Sequence, residues 1–528
     1  MNKFYLNTQT WLLIIIGLFS FFINFHYGNI GVYRIDTFAF FDTAYNILID
    51  RHPFKDIWIT TGPLVDYMQS LFFRVFGLNW TSYVIHGSVM NLIISVFFYL
   101  TLIKLKLNKY FAFLYSLMFS VLCYTVSATP FAYIHSYVFS LFSLLIFILL
   151  LKTNSKTTYF FLPITMLISF FCMQTPATYI NVIILFLFLV FISKDFKIKK
   201  IKYSLYGLGS ILFLFTIMIM SFKIPVLNIF QQYFLFPLTI GEYRVSGNSI
   251  AHISFFERLT IRNVLGHFKF INLIILLSLF FTCYGLIKKN KINLKKEDLL
   301  INILLILTSL SLIFNQLITS NQTYIFSIIP FFSAFFHIFL IKYFPKNKKI
   351  ILILLVLVIF TSGKYHLEYN EKRKFMDLQN VNLKNSIKGD LLDKKLKGLK
   401  WITPEFSKNP EEEIKLISEA LQHIKNQKKE KMVITQYQFF SILLEENLNI
   451  PNRWYTPDNN SYPRENHKYF QFYLDHLVEN INNNNIGVIY IVDNDLSIKY
   501  LPMAKANLCY DTENINKITK VYKLKKCN

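Results

Sequence analysis

The sequence predicts a mostly α fold, a polytopic helical membrane domain of about eleven transmembrane helices followed by a C-terminal soluble α/β domain. Three observations predict it. Hydrophobic residues make up 54% of the 528 positions and charged residues only 16%, against about 25% charged in soluble domains. From position 11 to 360, Leu/Ile/Phe runs longer than the usual globular helix alternate with short basic breaks. From 361 onward the chain turns Lys-, Asn- and Glu-rich and contains no spanning run. This shift sets the domain boundary: 1–362 for the membrane domain and 363–528 for the soluble one.

The apolar runs are 11–25, 84–103, 110–126, 137–151, 159–173, 179–192, 203–220, 270–287, 299–318, 324–341 and 350–360. The first is as short as a signal peptide but has no small-residue exit site, running instead through Phe22, Asn24 and His26, so it reads as an uncleaved anchor. Several others fall short of the roughly 20 residues that a perpendicular span requires. Flanking Tyr and Lys would extend them by snorkelling.

Every second connection is basic. The clusters are Lys104/Lys106/Lys109, Lys152/Lys156, Lys194/Lys197/Lys199/Lys200/Lys202, Lys288/Lys289/Lys291/Lys295/Lys296 and Lys342/Lys346/Lys348/Lys349. The alternate connections 127–136, 174–178 and 319–323 hold no Lys or Arg. The positive-inside rule then puts the N-terminus in the cytoplasm and, after an odd number of spans, the C-terminal domain outside. The same distribution argues against a nucleic-acid partner. The net charge of +24 sits largely in these clusters, and the Lys-rich tail is interspersed with Glu411, Glu412, Glu413, Glu445 and Glu446. The Lys/Ile/Asn-rich composition fits an AT-rich genome; a bacterial inner membrane, with the C-terminal domain periplasmic, is the default location, and an endoplasmic-reticulum membrane is the other option.

Two outward loops are long, 26–83 and 221–269. In the first, Leu64, Tyr67, Met68, Leu71, Phe72 and Val75 form an apolar stripe that Gly77 ends, predicting an amphipathic helix lying at the membrane interface. The loop also concentrates five carboxylates. Asp36 is either a helix N-cap or a general base presented to a lipid-delivered substrate. Asp42 is a second, weaker base candidate or its partner. Asp56, after Pro53-Phe54-Lys55, either orients a substrate hydroxyl or closes a turn; Asp66 suits the first turn of a helix, and Asp50 beside Arg51 suits a solvated pair.

This loop resembles that of the GT-C membrane glycosyltransferases, which include the protein O-mannosyltransferases and the lipid A aminoarabinose transferases. The resemblance rests on an early Asp36, then Pro53-Phe54-Lys55-Asp56, Trp58 and Gly62-Pro63-Leu64 before an amphipathic helix. It is specific over about 30 residues and general over the membrane region. It implies a GT-C-like fold, with Asp36 as catalytic base activating an acceptor hydroxyl against a polyprenyl-phosphate-linked sugar at the outer leaflet. Cations must then stabilise the leaving lipid phosphate. Arg34, Arg51, Lys55, Arg244, Arg258 and Arg262 are candidates. Arg244, within "GEYRVSG", is favoured because flanking glycines permit close approach, against the alternative of a solvated loop charge.

The sequence departs from the family where Thr61-Gly62 stands in place of a Lys before Pro-Leu, which leaves Lys55 to contact phosphate. The loop "SATPFAYIHS" has no acid; its His135 is either a phosphate-facing acid or a hydrogen-bonded structural residue. With so few acids, no metal dependence and no cofactor are expected. Gln174 and the pairs Asn315-Gln316 and Asn321-Gln322 sit at outward helix ends, as sugar contacts or as caps, whereas His86 and Asn91 stitch helices together. The expected partners are membrane lipid, a polyprenyl-phosphate sugar, and a glycan, lipid or protein acceptor. Two other readings remain: a transporter or flippase for lipid-linked glycans, disfavoured by the lack of a repeat and of a mid-span Asp, Glu, Lys or Arg, and an O-antigen ligase or polymerase.

In the C-terminal domain, 409–426 reads as a helix with an acidic first turn, and 431–437 and 486–493 as short buried strands of a small, possibly parallel, sheet. The loop "PNRWYTPDNNSYP" is of the kind that stacks on sugars, or is an ordered connector. Cys509 and Cys527 are close enough in sequence to pair if the domain faces an oxidising space.

Overall fold

The computed structural model describes residues 7–193, 198–247, 253–288, 292–320, 324–456, 459–493, 496, 498, 506 and 508–525. Nineteen α-helices in chain order build most of it. They are α1 (Thr8–Gly28), α2 (Ala39–Leu48), α3 (Leu64–Phe76), α4 (Trp80–Lys104), α5 (Lys109–Leu122), α6 (Ala132–Thr153) and α7 (Lys156–Cys172). Then come α8 (Gln174–Ser193), α9 (Ile198–Ser221), α10 (Val226–Ile229), α11 (Phe236–Ser246), α12 (Phe255–Arg258), α13 (Lys269–Ile287) and α14 (Lys296–Thr319). The series closes with α15 (Ile328–Tyr343), α16 (Lys348–Tyr365), α17 (Pro410–Asn426), α18 (Phe440–Leu444) and α19 (Phe470–Asn483).

Each of the eleven apolar runs is a helix. Eight are long and apolar enough to cross a membrane; α5, α7 and α15 are apolar but shorter. The spanning-length helices differ in their surroundings. The apolar window of α6 is 89% buried among its neighbours, whereas that of α9 is 6% buried and presents Leu212, Phe213, Leu214 and Ile217 outward. Faces of that size are not left in water by soluble folds.

Helix α3 is built the same way on a smaller scale. Its buried side carries Asp66, Gln69 and Ser70 beside Val65 and Phe73, while Leu71 and Val75 of its apolar stripe, and Phe76 after them, are exposed. It is polar inward and apolar outward, as an interfacial helix requires.

The bundle has two distinct ends. At one, Lys104, Lys106, Lys152 and Lys342 come together around Asp298, while Lys200 Nζ donates to Asn154 O at 2.7 Å and Lys296 Nζ to Val190 O at 3.1 Å. Lys194, Lys197, Lys289 and Lys291 of the predicted clusters lie outside the described residues. At the other end, loop 26–83 meets the C-terminal region. Between the spans, Asn91 ties α4 to α1 and α5 through Ser20 O at 2.9 Å and Ser120 O at 3.0 Å.

The C-terminal region carries two sheets. One is a two-stranded ribbon, β1 (Ile387–Lys388) with β2 (Lys400–Trp401). The other has four strands: β3 (Lys431–Thr435), β4 (Val488–Val492), β5 (Cys509–Asn516) and β6 (Thr519–Lys525), in the order β3-β4-β6-β5. The predicted helix is α17, capped by Asn409, and the two predicted strands are β3 and β4, paired in parallel as Val433↔Tyr490. The sheet as a whole is mixed, because the β5–β6 hairpin adds antiparallel to β4. Cys509 is disulfide-bonded; Cys527 lies outside the described residues, and Cys123, Cys172 and Cys283 are free.

The two parts of the chain share one core. Phe38 packs edge-on to Phe439 at 4.8 Å and stacks on Trp401 at 5.9 Å, so the first loop and the C-terminal region bury their aromatic rings against each other.

Candidate functional site

A cavity of about 290 Å³ opens where the ends of the spanning helices, the first loop and the C-terminal region meet. Its walls are the start of α6 with Tyr133, the α7–α8 junction with Gln174, α11 with Arg244, and the end of α14 with Asn315. The first loop contributes Asp36 and Thr60-Thr61. The C-terminal region adds Trp454, Thr456, Asn460 and Ser461. Among the described residues that line it, Asp36 is the one carboxylate and Arg244 the one cation.

Asp36 sits in a tight turn, with Thr37 Oγ1 accepting from Tyr33 N at 2.8 Å and Thr37 N donating to Tyr33 O at 2.9 Å. It does not cap α2: Phe38 holds the N-cap position, and no side chain caps that helix. Among the described residues no hydrogen-bond donor or cation bonds its carboxylate, which is unlike every other acid of the loop discussed below. Burial, reinforced by the carboxylate of Asp377, pushes its pKa up to about 7. A base poised near neutrality with a face on a cavity is suited to accept a proton from a bound hydroxyl.

Gln174 also reaches the cavity. Its Nε2 donates to Thr60 O at 3.0 Å and Tyr233 O at 2.8 Å, tying α8 to the first loop and to the π-helical turn Phe230–Leu235. Arg244 was expected in an open loop. It lies instead in the last turn of α11, which Gly247 terminates in the left-handed conformation (φ 88°). A cation there is favoured by the helix dipole as well as aimed at the cavity wall. Gly62 is needed for packing: a Cβ there would lie 1.6 Å from Phe171 O, so only glycine lets Gly62 N donate to Cys172 O at 3.1 Å. That contact holds Thr60-Thr61 against the α7–α8 junction.

The other predicted site residues are placed elsewhere, each for a physical reason. Asp42, expected as a second catalytic acid, is buried and accepts from Ser441 Oγ at 3.0 Å and Ile442 N at 2.9 Å, so it serves the N-terminal turn of α18. Burial raises its pKa to about 6, against those hydrogen bonds. Arg51 is a clamp rather than a substrate ligand. Its guanidinium donates to Asn447 Oδ1 at 3.0 Å and to Asp56 O and Ile450 O, both at 3.3 Å. Asp56 closes its own turn by accepting from His52 N at 2.8 Å, and Lys55 stands in that turn, away from the cavity lining.

His135 is likewise structural. It bonds Tyr124 OH at 2.9 Å and His86 Nε2 at 3.0 Å, and His86 in turn meets Gln69 Oε1 at 3.0 Å. Of the remaining cations, Arg258 caps α14 through Leu317 O and Ile318 O, and Arg34 pairs with Glu405 at 2.7 Å. Arg262 lies beside His267, outside the cavity. Asp66, read as a dipole-favoured surface acid, is fully buried and ion-paired with Arg453, whose Nη1 also donates to Thr61 Oγ1 at 2.6 Å.

Asn315 lines the cavity, and Gln316 bonds Tyr133 OH at 2.7 Å; Asn321-Gln322 lie outside the described residues. The loop 451–463 provides Trp454 and Ser461 to the wall. Tyr133, Tyr179 and Tyr324 were not anticipated there, since nothing in an apolar run marks which tyrosine faces a cavity. Comparison with family models finds no match to the chain, and comparison with curated proteins finds none either.

Proposed function

We propose that this chain is a membrane glycosyltransferase that moves a sugar from a polyprenyl-phosphate donor to an acceptor hydroxyl, with Asp36 as the general base. One observation carries the reading: of the first loop's carboxylates, only Asp36 faces the cavity, and it does so without a bonded partner among the described residues and with a pKa near neutrality. Asp36 takes the proton of the acceptor hydroxyl, whose oxygen attacks the anomeric carbon. The bond from that carbon to the lipid phosphate oxygen breaks, and the phosphate departs beside Arg244. Trp454 and the tyrosines supply flat apolar faces with polar edges for the sugar.

The exposed apolar faces of α9 and α3 support the membrane reading, with the spans delivering the lipid portion of the donor laterally. The disulfide at Cys509 supports an oxidising compartment for the C-terminal region, hence the outer face. A transporter would place ionisable groups mid-span; in this chain the Asp, Glu, Lys and Arg residues of the apolar helices stand at their ends.

The test compares Asp36→Asn with Asp42→Asn in cells lacking the wild-type gene, with envelope glycans measured by mass spectrometry at matched protein abundance. Asp36→Asn should lower transfer by about 10²–10⁴-fold, and Asp42→Asn should retain it. Undiminished transfer by Asp36→Asn would falsify the assignment of the base.

A further inference from the structure

At the lysine-rich end, a second cavity of about 440 Å³ lies between the ends of α4, α6, α14 and α15. Lys104, Lys106, Lys152 and Lys342 line it, with Asp298 as the one acid among its described lining residues. Four cations against one anion leave it with a net charge of +3. Asp298 is itself buried, with only 7% of its surface accessible. It accepts from Lys342 Nζ at 2.5 Å and Tyr343 OH at 2.7 Å and is also bonded by Lys152 Nζ.

An ammonium group has three donors. Asp298 therefore holds Lys152 and Lys342 in place while leaving each with further N–H groups. Lys104, the last residue of α4, and Lys106, on the turn after it, flank the opening, both exposed and neither bonded to Asp298. Beneath this cationic rim the wall is apolar, built of Leu105, Leu107, Ile301, Phe335, Ile338 and Phe339. A soluble anion would use the rim and leave that wall wet; an amphiphile with a phosphate head and acyl chains matches both surfaces.

We propose that this cavity binds the phosphate headgroup of an anionic phospholipid from the leaflet at the lysine-rich end, with the acyl chains against the Phe335–Phe339 wall. The proposal rests on the helices spanning a bilayer and is independent of the glycosyltransferase reading. Each exposed lysine near such a headgroup contributes about fivefold in affinity, so the pair contributes about 25-fold.

The experiment incorporates full-length protein into nanodiscs of phosphatidylcholine doped with phosphatidylglycerol as the anionic lipid. Lipids retained on release are then counted by native mass spectrometry for wild type, Lys104→Gln/Lys106→Gln and Lys104→Arg/Lys106→Arg. Wild type should retain phosphatidylglycerol over phosphatidylcholine, the Gln pair should lose that preference by about 25-fold, and the Arg pair should keep it. Equal thermal unfolding temperatures in pure phosphatidylcholine discs establish that the Gln pair is folded. Retention by the Gln pair equal to that of wild type overturns the proposal. So does displacement of the lipid by millimolar inorganic phosphate, which would mark a soluble-anion site. Failure of the protein to enter nanodiscs at all would instead sink the membrane reading.

Discussion

At the lysine-rich end of the bundle the connections are short, three of the four lysines gathered at the cavity are exposed, and one buried acid, Asp298, organises two of them. At the opposite end two of the connections are long, and charged groups are satisfied between the first loop and the C-terminal region: Asp66 pairs with Arg453 in a fully buried contact, buried Asp42 accepts from the turn of α18, and buried Arg34 pairs with the exposed Glu405. Charge density is not what separates these ends; solvation is. An exposed ammonium group responds to whatever lies next to it, whereas a buried carboxylate must be bonded or have its pKa raised. Burial raises the pKa of Asp36, Asp42 and Asp66 alike, but of the three Asp36 alone lines the cavity and has no bonded partner among the described residues, and that is why the chemistry is assigned to it.

The largest expected effect that sharpens this contrast comes from the Asp66–Arg453 pair. Arg453→Ala strands a buried carboxylate and should destabilise the protein by about 3–5 kcal/mol, seen as early proteolytic release of the C-terminal region. Asp66→Leu with Arg453→Met should recover most of that loss, since an apolar pair of similar volume needs no compensation. If the double variant is as fragile as the single, the pair does more than hold the two parts together.

A smaller loss is expected from Asp42→Ala. Ile442 N and Ser441 Oγ lose their acceptor in a buried turn, at a cost of about 1–3 kcal/mol. The unfolding temperature should fall while transfer activity at low temperature survives. A variant that stays fully stable yet inactive would return Asp42 to the list of catalytic acids.

The last effect concerns pH. The folded protein holds the Asp36 proton up to about pH 7, while the ordinary value is 3.8. The folded state thus binds this proton more tightly than the unfolded chain, so ionisation destabilises the fold. The favourable contribution of the protonated acid is complete below about pH 4 and is lost as pH rises through about 7. Asp36→Asn should match wild type in unfolding temperature near pH 4 and exceed it above pH 7. Transfer by wild type should rise over the same upper range, as the base ionises. A wild-type activity profile flat from pH 5 to 9 contradicts a base with this pKa.

How much of this was legible in the sequence varies with the distance over which the determining interaction acts. The eleven apolar runs, the stop at Gly77 and the acidic turn of α17 are local signals, and they correspond to helices at those places. The hairpin of β5 and β6 was not visible, because "DTENIN" is polar and forms an exposed edge with no apolar alternation to betray it. Within the first loop the five aspartates look alike in sequence. Only the partners that fold back from the C-terminal region distinguish Asp42 and Asp66 from Asp36. Arg244 was identified as a candidate for a reason the structure replaces, since its approach to the cavity comes from a helix end rather than a glycine-flanked loop.

The distance along the chain between those partners bears on how the protein is made. Asp66 and Arg453 are 387 residues apart, and Asp42 and Ser441 are 399 apart. At a synthesis rate of about 5–20 residues per second, the first loop waits roughly 20–80 seconds before its counterparts emerge. Throughout that interval its buried-to-be carboxylates are hydrated and its aromatic rings uncovered, a natural client state for a chaperone. The cavity cannot close until the C-terminal region arrives, so a ribosome that stops early leaves the helices with no wall at Trp454.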